Sequence, residues 1–204
     1  MTFYYAPFTC ALATHIVLEH LGCDYRAVPL DFRGNQQRSA EFLAINPKGR
    51  VPALVTERGV LTETPALLLY LAQTHPQGGL APLDDPFALA ELQAVTAWFC
   101  STVHVNHAHR PRSYRWADDP AAQQAMKAKV AQNMAENFEW IEHTLLRGPW
   151  MMGERFSIAD PYLFTLSGWL AGDGVDPARF PRVAEHRARM LQLPAVQRVM
   201  PLYG

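Results

Sequence analysis

The chain has 204 residues, 49% of them hydrophobic and 18% charged, with a formal net charge of −1. That balance belongs to a globular chain able to bury a real core, as one large domain or two modest ones, and it excludes disorder. It supplies no field for nucleic acid or anionic lipid; no apolar run reaches bilayer length and no basic-then-apolar leader opens the chain, so we expect neither a nucleic-acid nor a membrane partner, and a cytoplasmic setting.

Thr2 to Tyr5 is aromatic and β-prone and predicts a strand, which Pro7 breaks. Cys10 to Leu21 carries Leu12, Ile16 and Leu21 at helical spacing and stops at Gly22. Tyr25 to Leu30 predicts a second strand, parallel to the first through a right-handed crossover. A short helix follows over Ser39 to Ile45. Val51 to Thr56 and Val60 to Thr62 predict a hairpin turning at Gly59, and Pro65 to Gln73 a further helix. The order βαβ-α-ββα fits an α/β, thioredoxin-like domain over residues 1–76. Prolines and glycines crowd the stretch that follows, and 77–86 reads as a linker.

Residues 87–204 predict an all-α domain. Asp85-Pro86 and Asp119-Pro120 each pair an N-cap with proline at the first helical position, opening long helices to about Ala108 and Leu146. Ser157-Ile158-Ala159-Asp160 opens a third helix like a capping box with aspartate in place of Glu or Gln. Two short helices split by Pro194 close the chain.

Several residues can carry chemistry. The three cysteines, Cys10, Cys23 and Cys100, form no C-x-x-C pair, so a thiol acts alone or with a small-molecule thiol. Cys10 stands where a strand gives way to a helix. Free backbone N–H groups and the helix dipole would lower its pKa there; a buried core cysteine would have a raised one. Both readings stand on position alone. Pro52 is an ordinary turn proline or a cis-proline that bares the backbone of Val51 to a peptide-like ligand. Thr64-Pro65 opens a helix beside Glu63: simple capping, or a cradle in which N–H groups hold a ligand carboxylate and Glu63 its ammonium. His104 and His107 lie one helical turn apart with His109 nearby, but no acid or thiol completes a metal set, so no metal is expected. His104 is either a partner for a thiolate in the other domain or a satisfied interdomain histidine. Arg110, Arg112 and Arg115 form a basic run, a solvated helix end or a hold on an anionic ligand.

"FYYAPFTCALATHI", "FLAINPKGRVPAL", "LTETPALLLYLA" and "RFSIADPYLF" occur in this order and, across essentially the whole chain, resemble the bacterial beta-class glutathione S-transferases. The resemblance implies a homodimer that binds glutathione as co-substrate and joins its thiolate to a small electrophile, with glutathione-dependent disulfide reduction through Cys10 as further chemistry. It implies Cys10 beside the glutathione sulfur, with Tyr5 near it, and Val51 pairing with the cysteinyl backbone ahead of cis-Pro52. Glu63 and Thr64 would take the γ-glutamyl end, Arg33 or Asn35 would stand in for a family lysine, and His104 would come close to the sulfur. The second substrate would lie by His104 and His107. Ala97 and Val105 replace polar and lysine residues of the family pattern. The alternative reading is a non-catalytic binding or regulatory protein on the same fold.

Overall fold

The structure is a computed structural model and describes residues 1–203. Four short strands form one mixed sheet: β1 (Thr2–Tyr5), β2 (Arg26–Pro29), β3 (Ala53–Thr56) and β4 (Gly59–Thr62), in the order β2-β1-β3-β4. β1 and β2 are parallel with Phe3 opposite Ala27; β3 runs antiparallel to both β1 and β4. The period of two along β1 buries Phe3 and Tyr5 on one face and leaves Tyr4 on the other, tilted over Phe42 at 5.6 Å. The hairpin forms as expected, but its turn is Glu57-Arg58; Gly59, expected in the turn, is already the first residue of β4, paired with Thr56 at φ 135°.

α1 (Ala11–His20) is buried almost all round, from Ala11 through Leu18 except Leu12, because it has a partner on both sides. One side meets the sheet and α3 (Thr64–Thr74); the other meets two helices of the second half, α7 (Ala159–Ser167) and α9 (Pro194–Val199). The short α2 (Ala40–Ile45) is capped by Ser39, whose hydroxyl accepts from the Phe42 N–H at 3.2 Å. The expected capping of α3 is corrected: Glu63, at φ 74°, occupies the cap position, and Thr64 is already the first helical residue.

The second half is helical. α4 (Pro86–Trp98) starts where Asp85 accepts the N–H groups of Phe87 and Ala88, both at 3.0 Å. It does not end at Ala108. It passes through a wider π-helical turn, Phe99–Val103, into α5 (His104–Arg112). α6 (Pro120–Trp140) is capped by Asp119, and α8 (Pro181–Leu191) precedes α9.

The 157–160 motif reaches further than a capping box. Asp160, fully buried, accepts the N–H groups of Met151 and Ser157 at 2.7 Å, the Ser157 hydroxyl at 3.0 Å and His186 Nε2 at 2.9 Å. One carboxylate thus ties the 151–157 loop and α8 to the start of α7. The Ile158 N–H donates to the Leu80 carbonyl at 3.0 Å, fastening that helix start to the segment after α3. Among the described residues no helix is long and apolar enough to cross a membrane.

Candidate active site

A cleft of about 560 Å³ opens between the two halves. On the sheet side it is lined by Cys10, the loop segments around Asn35 and Arg50, Val51-Pro52 and the Glu63-Thr64 helix start; on the helical side by Cys100, His104 and His107 and by the Pro111–Trp116 segment. Its size suits a small-molecule site. The Val51–Pro52 peptide is cis.

Cys10 is 8% exposed, and its Sγ lies 3.7 Å from the Val51 carbonyl oxygen, to which the thiol donates. Burial pushes its pKa up to about 11; the Thr64 hydroxyl and the Arg112 charge act in the other direction without prevailing. Position alone left room for a lowered value. The first-turn donors are spent elsewhere: the Ala11 N–H reaches Thr9 Oγ1 at 3.4 Å, the Leu12 N–H the Thr9 carbonyl and the Ala13 N–H the Cys10 carbonyl, both at 3.2 Å. A buried sulfur facing a carbonyl keeps its proton.

His104 is also held neutral. Burial lowers its pKa to about 3, helped by the charges of Arg112, His107, Arg50 and Arg115. As a neutral ring it can still donate an N–H to a sulfur, but it brings no positive charge to one. His107 is anchored differently. Asp173, whose side chain is fully buried, accepts from His107 Nδ1 at 2.8 Å and 3.0 Å, leaving Nε2 as the free ring nitrogen. Trp169 stacks on His107 with ring centroids 4.1 Å apart and packs against His104 at 5.0 Å. Glu63, half exposed, pairs with Lys48, which also donates to Thr62 Oγ1 at 2.7 Å.

Eight of the ten residues that the resemblance assigns to the site line this cleft: Cys10, Asn35, Val51, Pro52, Glu63, Thr64, His104 and His107. Two do not. Tyr5 is 5% exposed and packs among His15, Tyr203 and Phe3, because strand alternation turns it toward α1. Arg33 is exposed and away from the cleft; its N–H is bound to Asp31 at 2.9 Å in the turn before Asn35. The residues missed include Phe8, Tyr162 and Trp169. Cys100, named from sequence only as one of three cysteines, also lines the cleft; it lies four residues before His104 on one continuous helix, which was a legible signal. Three non-glycine residues have left-handed backbones, Phe8 (φ 58°), Asn35 (φ 57°) and Glu63 (φ 74°), and all three line the cleft. Among the described residues no group of three or more His, Cys, Asp or Glu gathers to hold a metal.

A thioredoxin-like domain joined to an all-helical one, with a cleft between them, defines the two-domain glutathione transferases as a class. The family models for the glutathione S-transferase N-terminal and C-terminal domains match residues 1–73 and 116–189. A glutathione transferase homologue from Sulfitobacter, solved with bound glutathione, is 42% identical, covers 98% of this chain and 96% of its own, and superposes with a TM-score of 0.94. A beta-class glutathione S-transferase from Sphingomonas chungbukensis is 30% identical over 100% of this chain and 99% of its own, with a TM-score of 0.86. Glutathione S-transferase GstA of Escherichia coli O157:H7 is 29% identical over 207 residues, 100% of this chain and 99% of that one. The chain belongs to the glutathione S-transferase family.

Proposed function

We propose that this chain is a glutathione transferase that binds glutathione along Val51 and joins its sulfur to a small electrophile. One observation carries the reading: Val51 ahead of cis-Pro52, a helix start beside a carboxylate at Glu63-Thr64, and an aromatic wall at Trp169 share one cleft. Extended along Val51, glutathione places its γ-glutamyl end at α3, where N–H groups suit the carboxylate and Glu63 the ammonium. Its glycyl end then falls toward Asn35 and Arg50, and its sulfur beside Cys10. The glutathione thiolate, not Cys10, attacks: the carbon–sulfur bond forms as the leaving group departs with its electron pair, and the thiol proton goes to solvent.

A second reading keeps glutathione and has Cys10 form a mixed disulfide that a second glutathione resolves. The contact of Cys10 with the Val51 carbonyl favours it; the raised pKa opposes it. The reading extends to a homodimer in the cytoplasm, which the family resemblance and three unpaired cysteines support.

The test is turnover of a chloronitroaryl electrophile with glutathione by the wild type and by Cys10→Ala. Conjugation that survives the substitution supports the thiolate of glutathione as nucleophile. Loss of conjugation in Cys10→Ala with glutathione binding intact moves the chemistry to Cys10. Glutathione binding without any turnover would favour the non-catalytic reading.

A further inference from the structure

Of the described residues, four arginines line the cleft, Arg38, Arg50, Arg112 and Arg115, against one carboxylate, Glu63, and that carboxylate already faces Lys48. Among the described residues none of the four is within ion-pair distance of an acid. Arg112 is the most exposing case. It is half-buried at the end of α5, its Nε is sealed from water with no hydrogen-bond partner, and Arg115 lies three residues on along the same wall. Burial and the like charge of Arg115 both work against its guanidinium. A buried donor and two unpaired like charges stay costly until an anion completes them.

Glutathione does not exhaust this positive charge. Its γ-glutamyl carboxylate goes to α3, and its glycyl carboxylate goes to the loop wall, where Arg38 and Arg50 stand ready. Arg112 and Arg115 remain, on the opposite, helical wall, beside Tyr114 and Trp116. Resting on the glutathione reading above, we propose that the second substrate is a carboxylate-bearing electrophile, and that Arg112 and Arg115 bind that carboxylate and select acidic acceptors over neutral ones. The aromatic side chains of the same wall suit a flat acceptor body, and a guanidinium meets a carboxylate with two parallel donors.

The test uses the full chain and two preformed products, the glutathione conjugates of chlorodinitrobenzoate and of its methyl ester, titrated calorimetrically alongside glutathione itself. They differ in one negative charge at the acceptor end. The wild type is expected to bind the acid conjugate at least about tenfold more tightly than the ester, with a preference that shrinks as salt rises. Arg112→Gln with Arg115→Gln should bring the ratio close to one, and Arg115→Gln alone, at an exposed position, should lower it without threatening the fold. A wild-type ratio near one overturns the proposal. So does a ratio that survives both substitutions, and so does a fall in affinity for glutathione matching that for the acid conjugate, which would give the arginines to glutathione. Glutathione binding with no acid preference sinks the proposal alone; failure to bind glutathione or either conjugate sinks the glutathione reading and takes the proposal with it.

Discussion

The protonation of Cys10 can be read directly from its reactivity. With a pKa of about 11, only ~0.1% of Cys10 is thiolate at about pH 8, against roughly a tenth of a thiol at the ordinary value of 9.0. Ionisation alone should therefore slow its alkylation about a hundredfold relative to a free model thiol, before any loss of access. The rate should climb about tenfold per pH unit without levelling until about pH 10. Thr64→Val removes the hydroxyl that acts against burial, so it should slow the reaction further at each pH. The assay is iodoacetamide labelling over a pH series, quenched and mapped by mass so that Cys10 is separated from Cys23 and Cys100. A rate that levels off below about pH 8 would show a thiolate populated at neutrality, and the assignment of the first-turn N–H groups to Thr9 and the Cys10 carbonyl would be wrong.

Glu63→Ala should weaken glutathione binding by ~1.5 kcal/mol, about tenfold in Kd, the low end for a hydrogen bond to a charge because the carboxylate is half exposed and shared with Lys48; an unchanged calorimetric Kd removes it from the site. Asp160→Ala strands two backbone donors, the Ser157 hydroxyl and buried His186, and should cost about 3–5 kcal/mol in urea unfolding, with a loss under 1 kcal/mol contradicting the network. His15, ringed by Phe3, Tyr5, Tyr25 and Tyr203, is kept neutral by burial with its pKa lowered to about 4. Below about pH 6.5 the unfolded chain takes up a proton that the fold refuses, so stability should fall by roughly 3 kcal/mol as pH drops to about 4. His15→Phe should flatten that slope in urea midpoints measured against pH; an equal slope in both proteins would place the acid sensitivity elsewhere.

The fold was legible because its signals are local. Asp85 and Asp119 each cap the helix they announce, and the hairpin forms where alternation predicts it, with Gly59 one residue past the turn. The helix through Cys100 and His104 was harder to bound, since a π-helical turn leaves no mark in the apolar spacing. The site was legible wherever one residue's backbone decides its place, as at Val51-Pro52 and Glu63. It failed where side-chain direction or surroundings decide. Tyr5 differs from Tyr4 only by strand parity, and Arg33 from Asn35 only by the turn between them. The charge states of Cys10 and His104 depend on burial by the opposite half of the molecule, which no local pattern records.

The left-handed backbones of Phe8, Asn35 and Glu63 set stability against function at the cleft. Glycine would adopt each of these conformations more cheaply, by ~1 kcal/mol apiece. A search for more stable variants would therefore be drawn to these positions, and at Glu63 it would delete the one acid that, among the described residues, lines the cleft. Selection for heat resistance alone should erode this site before it touches the core.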